Sequence, residues 1–142
     1  MAAEIYVALC NQLSRFARLL DEKRWDEIDT VFAPDITFDY ATGEECEGLQ
    51  HLRANFTQYL EICEGSQHLI GSILMEGDEP PVTRCYVQAR HIGRGANAGA
   101  IFDTNGEYTD RWRLDDGVWR IVRRDARFWI MSGDPAVIGF QP

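Results

Sequence analysis

The order of the patterns along the chain, helical first and strand-forming afterwards, constrains the fold more than any other feature. In the first third, apolar residues recur at spacings of three and four, which is typical of one face of a helix. They are Tyr6, Leu9, Cys10, Leu13, Phe16, Ala17 and Leu20. A second, short helix is predicted over 25–32 and ended by Pro34, a short strand over 36–40, and a third helix around 52–60.

From Ser66 onward, the chain changes to β-branched and aromatic residues in long segments separated by turn signals. The segments are approximately 66–76, 82–93, 99–114 and 117–131. Asp115-Asp116-Gly117 is a strong hairpin signal between the last two. Helices followed by long antiparallel strands predict an α+β fold whose helices pack on one face of the sheet. With no repeat and no long linker, a single domain over 1–142 is expected.

Composition excludes several classes of function. The 142 residues are 45% hydrophobic, too apolar for a disordered chain, and carry a net charge of −9, which argues against nucleic acid and anionic membranes as partners. No secretory signal is visible, and the longest stretch without a charged residue, Gly65 to Met75, is far shorter than a membrane span. We therefore expect a cytoplasmic protein. Its four scattered cysteines predict unpaired thiols and no metal site.

Two of the three histidines fall on strand faces that are otherwise small or apolar. His91 continues the row of Thr83, Cys85, Val87 and Ala89, and His68 shares a face with Ile70 and Leu74. Each could be a core histidine bonded to a backbone carbonyl, or both could belong to one catalytic site. Asp21, at the edge of the first helix's apolar stripe, is either a solvated charge or a carboxylate that fixes an imidazole tautomer and raises its basicity.

Further polar groups fall where inward-facing residues are expected. Tyr40 ends the first strand, and Tyr108 and Asp110 share one face of strand 99–114 with Trp112. A buried Asp110 requires a hydrogen-bond partner. The arginines of the last strand are interpreted as balancing the acidic surface, and Arg127 alternatively as a substrate or interface contact; they are Arg120, Arg123, Arg124 and Arg127.

Several of these blocks together resemble a known family. They are Leu20-Asp21-Glu22-Lys23-Arg24-Trp25-Asp26, Phe32-Ala33-Pro34, Phe38-Asp39-Tyr40, Ser66-Gln67-His68-Leu69-Ile70-Gly71, Ala89-Arg90-His91 and Asp116-Gly117-Val118-Trp119. Their order, from about residue 5 to about residue 130, is similar to that of scytalone dehydratase and its bacterial SnoaL-like relatives in the nuclear transport factor 2-like superfamily. The resemblance implies a cone: a strongly bent antiparallel sheet whose concave face is closed by N-terminal helices, an α+β barrel with the active site inside.

The resemblance also implies roles for individual residues. Asp21 would be the acid, His68 the general acid/base, His91 a second histidine partnered by Asp21, and Tyr40 one of two tyrosines that orient a substrate carbonyl through water. Leu20 stands where the dehydratase has its other tyrosine, and Gly106 and Tyr108 stand where it has a serine and an asparagine. The acid/base core therefore matches while the substrate-orienting shell differs. Tyr108 could return a phenol to the pocket from another wall, and Asp110 is grouped with it as a substrate-binding residue.

These observations predict a cofactor-independent lyase, a dehydratase that acts through an enolate on a cyclic, aromatic or polyketide-like hydroxyketone. The alternatives are an isomerase or cyclase of a polyketide or steroid-like ketone, and a non-catalytic ligand-binding or structural subunit. A homo-oligomer, dimer or trimer, is expected, with Tyr86 and Ile92 on the outer face of their strand as interface residues.

Overall fold

A computed structural model describes residues 1–140 as two helices and one long curled sheet. The main elements are α1 (Ala2–Asp21), β1 (Phe32–Tyr40), β2 (Cys46–Glu47), α2 (Leu49–Leu60), β3 (Gly65–Glu76), β4 (Val82–Ile92), β5 (Ile101–Asp115) and β6 (Val118–Gly133). Short 3₁₀ turns occupy Trp25–Thr30, Gly95–Asn97 and Pro135–Ile138. The four long strands and both long helices lie where the sequence predicts them.

The six strands form one sheet in the order β2-β1-β6-β5-β4-β3. The α+β prediction is confirmed, with one difference in topology: β1 runs parallel to β6, while the other pairings are antiparallel. The sheet is therefore mixed, and β2 and β3 remain its two edges, so that it curls without closing.

The curl of the sheet coincides with interruptions in the strand register. Between β5 and β6 the register shifts at Asn105/Gly106 and again at Arg111/Trp112, and between β3 and β4 it shifts at Gly71/Leu74. An extra residue in one strand increases the local twist and bends that strand. These bulges give the sheet a concave face on which the helices pack.

The prediction of a helix over 25–32 that ends at Pro34 is wrong in detail. A 3₁₀ turn ends at Thr30, β1 has already begun at Phe32, and Pro34 lies inside the strand. The pairing of β1 with β6 skips from Phe32 to Thr37, so Pro34 lies where the ladder is interrupted and its missing N–H costs no sheet hydrogen bond.

The concave face is covered by the apolar side of α1 and by α2. Leu9, Leu13, Phe16 and Leu20 of α1 are buried, whereas Tyr6, predicted to lie on the same stripe, is 37% exposed. Helix α1 packs against β3 and α2 against β1. Neither helix is both long enough and apolar enough to cross a bilayer.

On the opposite face of the sheet, Tyr86 and Ile92 are exposed as predicted, and Tyr86 stacks edge-on against Trp129 with ring centroids 6.3 Å apart. Self-association through this face stays a prediction. All four cysteines are free, and Cys63 and Cys85 are buried.

The bulge at Gly106 provides a test of this architecture. A Cβ at Gly106 would overlap the carbonyl oxygen of Arg127 on β6, whereas a Cβ at Gly71 on β3 would meet no atom within 4 Å. We expect Gly106→Ala to lower the free energy of unfolding by about 1–3 kcal/mol, because neighbouring backbone must move to admit the methyl group. Urea titration of this variant and of the control Gly71→Ala measures the difference. Equal stability of the two variants would contradict the close approach at Gly106.

Candidate active site

A cavity of about 290 Å³ lies between the helices and the concave face of the sheet. We call it the central cavity. Its lining is mostly apolar and contains no Asp, Glu, Lys or Arg; the polar members are Tyr40, Thr42, Asn55, Tyr59, His68, His91, Thr104 and Tyr108. The two histidines that the sequence singles out therefore face one shared space.

The carboxylate of Asp21, the last residue of α1, holds His68 in place. The His68 Nδ1 atom is 2.7 Å from Asp21 Oδ1, and the His68 backbone N–H donates to Oδ2 over 3.0 Å. A carboxylate oxygen accepts, so Nδ1 carries the proton and Nε2 keeps the lone pair. Ser66, a residue that the sequence analysis did not assign to the site, donates its hydroxyl to Asp21 Oδ1 over 3.0 Å.

His91 has a different partner from the one expected. Its Nδ1 donates to the backbone carbonyl of Phe102 over 2.9 Å, so the prediction that Asp21 would partner His91 is wrong. The reason is geometric: Asp21, at the end of α1, contacts Ser66 and His68 on β3, whereas His91 lies on the neighbouring strand and faces β5. The two imidazole centroids are 5.8 Å apart and the rings are nearly perpendicular.

The two histidines lie in different surroundings. Burial lowers the pKa of His91, and the neighbouring His68 adds to that effect, while the Phe102 carbonyl opposes it. His91 is therefore the neutral imidazole at pH 7, protonated at Nδ1. Within residues 1–140, neither Nε2 atom has a protein hydrogen-bond partner. Every fully buried side-chain nitrogen or oxygen in this range does have one, so the two Nε2 atoms are not fully buried and are open to the cavity.

Tyr40 and Tyr108 bring two phenols to the same cavity wall, with ring centroids 5.8 Å apart. Burial raises the pKa of both hydroxyl groups, most strongly for Tyr108. Both are therefore protonated at neutral pH and can donate a hydrogen bond. Leu20 also lines the cavity, and Tyr108 supplies a phenol from a different strand, as the sequence comparison suggested.

Asp110, which the sequence analysis grouped with the substrate-binding residues, does not line the central cavity. Its side chain is fully buried behind the cavity wall, where Arg124 donates to both carboxylate oxygens over 2.7 and 2.9 Å. Asp110 does face inward, as the strand alternation predicts, and it does have the partner that burial requires. Its contacts are to protein atoms and not to the cavity.

Arg124 is the residue that the sequence analysis placed wrongly, on the acidic surface. Its side chain is fully buried. Arg111 pairs with Arg123 but Trp112 pairs with Ile121, which marks a bulge in β6. The bulge changes which residues of β6 face inward, so alternation counted from Ile121 predicts the wrong face for Arg124. The available signal was Asp110 itself, an inward carboxylate that needed a cation on an adjacent strand. Arg127 is exposed, lies near the ring of Trp129, and does not line the cavity.

Comparison with known proteins identifies the family. Residues 1–125 match the model of the SnoaL-like domain. The chain belongs to the SnoaL-like family. This confirms the resemblance, and the matched region contains Asp21, the two cavity histidines, Tyr40 and Tyr108.

Solved structures of low sequence identity share the cone fold of this chain. The Kfla4162 protein of Kribbella flavida superposes with a TM-score of 0.86 at 16% identity, covering 97% of this chain and 99% of that one. A protein of Novosphingobium aromaticivorans DSM 12444, provisionally named a scytalone dehydratase, gives 0.82 at 19% identity, covering 92% and 88%. The type 3 LinA hexachlorocyclohexane dehydrochlorinase of Novosphingobium barchaimii LL02 gives 0.79 at 12% identity, covering 99% and 97%.

In this SnoaL-like cone, His91 makes folding stability depend on pH. Because its pKa is lowered in the folded state, the unfolded chain takes up a proton first as the pH falls. This contribution is fully present above the ordinary histidine pKa and is lost as the pH drops below it. We expect acidification from about pH 7.5 to about pH 5 to destabilise the wild type more than His91→Asn, which keeps a donor for the Phe102 carbonyl.

Urea titrations at both pH values measure the effect, and His51→Asn on the exposed face of α2 is the control. The control should lose as much stability as the wild type. An equal loss in His91→Asn would contradict the neutral His91 of the folded state.

Proposed function

We propose that this SnoaL-like protein is a cofactor-independent lyase, a dehydratase that eliminates water from a cyclic, aromatic or polyketide-like hydroxyketone. The observation that carries the proposal is the Asp21–His68 pair, whose free Nε2 opens into an apolar cavity. A base poised in this way removes a proton next to a carbonyl group. Lyase names among proteins of the same fold are consistent with such chemistry, although their identity to this chain is below 20%.

The elimination uses one residue as base and then as acid. His68 Nε2 takes the α-proton of the ketone, and the C–H electron pair forms the enolate. The imidazolium is stabilised by the Asp21 carboxylate, 2.7 Å from Nδ1. The same proton is then delivered to the β-hydroxyl group as the C–O bond breaks, so that water leaves and a conjugated double bond forms. A well-placed acid/base of this type contributes about 10²–10⁴-fold to the rate.

The remaining polar groups fit the charges that develop during this reaction. The phenols of Tyr40 and Tyr108 are protonated donors suited to the enolate oxygen, because oriented donors are most effective where negative charge appears. His91, neutral with its Nε2 open to the cavity, suits a substrate hydroxyl as a hydrogen-bond acceptor. The lining without Asp, Glu, Lys or Arg favours an uncharged substrate.

The alternatives place different demands on the cavity. A purely structural subunit would fill the cone with its own side chains, and the open volume of about 290 Å³ is the observation against that role. An isomerase or cyclase would use the same base and the same enolate. The fate of the enolate, and not the arrangement of residues, separates these enzymes from a dehydratase.

The test is turnover on a panel of uncharged cyclic β-hydroxyketones, followed by the ultraviolet absorbance of the conjugated enone. We expect His68→Asn to reduce kcat by about 10²–10⁴-fold, because asparagine retains a donor for Asp21 but has no base at the Nε2 position. Asp21→Asn should also reduce kcat, since the imidazolium loses its counter-charge. His51→Asn, remote from the cavity, is the matched control and should leave turnover unchanged.

Exchange of the α-proton in deuterium oxide, followed by NMR, separates the classes. Exchange together with enone formation supports the dehydratase. Exchange with a rearranged ketone and no enone would replace it with an isomerase or cyclase. Ligand binding without exchange, or full activity in His68→Asn, would overturn the proposed role of His68.

A further inference from the structure

The Asp110–Arg124 pair lies directly behind the two phenols of the proposed active site. Arg124 uses Nε and Nη2 for the two oxygens of Asp110, and its Nη1 donates to the hydroxyl oxygen of Tyr40 over 3.4 Å. Its guanidinium carbon lies 3.9 Å from the ring centroid of Tyr108 and 4.2 Å from that of Phe16. One buried cation therefore contacts Tyr40 and Tyr108 without itself lining the cavity.

Stability alone does not explain such a pair. Removing two charges from water costs several kcal/mol for each ion, and replacing a buried ion pair by apolar side chains of similar size is often neutral or stabilising. Asp110 and Arg124 are both 0% exposed and are surrounded by aromatic rings that apolar residues would pack against equally well. The pair therefore has a different use, and its contact with Tyr40 indicates what that use is.

An arginine N–H aimed at a hydroxyl oxygen determines where that hydroxyl sends its own proton. Arginine has donors only, so Tyr40 must accept from Arg124, and its O–H then points away from the guanidinium. Tyr40 itself lines the central cavity, so the cavity is open to that O–H. The bidentate contact with Asp110 fixes the guanidinium plane, and with it the direction of the third donor.

We propose that the Asp110–Arg124 pair is a positioning element that orients the Tyr40 hydroxyl toward the central cavity, where it binds an anionic oxygen carried on an otherwise apolar ring. The ligand class is an enolate or a phenolate. This inference rests on the proposed function, because the enolate is the anion that the lyase would form. Arg124 acts through Tyr40 and not on the substrate.

The charges around Tyr40 support the same assignment. Burial raises the pKa of Tyr40, and the negative charge of Asp110 also raises it. The positive charge of Arg124, its hydrogen bond and the neighbouring Tyr108 hydroxyl act on this pKa in the opposite direction. The buried phenol is thus a better donor than burial alone would leave it. Loss of the pair should raise the pKa of Tyr40.

The first test measures that titration without any ligand, using protein labelled with ¹³Cζ-tyrosine and NMR. We compare wild type, the double variant Asp110→Leu/Arg124→Met, and the control Arg84→Gln/Glu107→Gln, which removes an exposed ion pair from β4 and β5. The Tyr40 signal is assigned with Tyr40→Phe. The pKa of Tyr40 should rise in the Asp110/Arg124 variant only, and an unchanged pKa in that variant would overturn the proposal.

The second test uses 2-naphthol, an aromatic ring with one ionisable oxygen, whose fluorescence distinguishes the naphtholate from the neutral form. We expect the Asp110→Leu/Arg124→Met variant to bind the naphtholate about tenfold more weakly, the order expected for losing one charge-reinforced hydrogen bond. Tyr40→Phe should weaken binding in the wild-type background but add little in the double variant, because the pair acts through Tyr40. Equal effects of Tyr40→Phe in both backgrounds, or no binding to the wild type, would overturn the proposal.

Arg124→Lys covers the case in which the double variant does not fold. A lysine keeps the charge but cannot present the planar fork that holds Asp110 and Tyr40 together, so naphtholate binding should again weaken. Wild-type affinity in a folded Arg124→Lys protein would overturn the proposal. Naphtholate binding requires no turnover. Failure of the proposed lyase would appear as absent enone formation, and failure of this positioning role as unchanged naphtholate affinity in the Asp110→Leu/Arg124→Met variant, so the two failures give different results.

Discussion

The Asp21 carboxylate is the contact that joins the helical part of the molecule to the sheet. It lies at the last residue of α1, where the backbone carbonyls of the helix make an anion unfavourable. Three donors on β3 offset this: the Ser66 hydroxyl, the His68 backbone N–H and the His68 Nδ1 atom. The contact that docks α1 on the sheet edge therefore also fixes the tautomer of the histidine that faces the cavity. Fold and chemistry share these hydrogen bonds.

The two histidines lie on adjacent strands and differ because their Nδ1 atoms have different hydrogen-bond partners. The Nδ1 atom of His68 contacts a carboxylate, whereas that of His91 contacts a neutral carbonyl, and burial lowers the pKa of His91. Only one of the two is suited to hold the substrate proton. The 5.8 Å between their centroids reinforces this division, since a charge on one ring opposes a charge on the other.

The sequence predicts most of the fold and the chemical groups of the site, but not how those groups pair. Alternation along β4 and β5 correctly predicts that His91, Tyr108 and Asp110 face inward, because the face on which a side chain lies depends only on its position along the strand. The partner of Asp21 depends on how α1 crosses β3, and no local pattern encodes that crossing. The prediction for Arg124 fails for a related reason. A bulge in β6 changes which of its residues face inward, and the strand register depends on two strands together.

The cavity surface, which would contact the substrate, is uncharged, and the charged groups lie behind it. The cavity surface carries no Asp, Glu, Lys or Arg, while the Asp21 carboxylate and the Asp110–Arg124 pair act on His68 and Tyr40 from just outside it. A surface of neutral groups admits an apolar molecule at little desolvation cost, and the charges behind it become important only when the bound molecule develops charge. In the reaction that we propose, these developing charges are the proton taken up by His68 and the oxyanion near Tyr40.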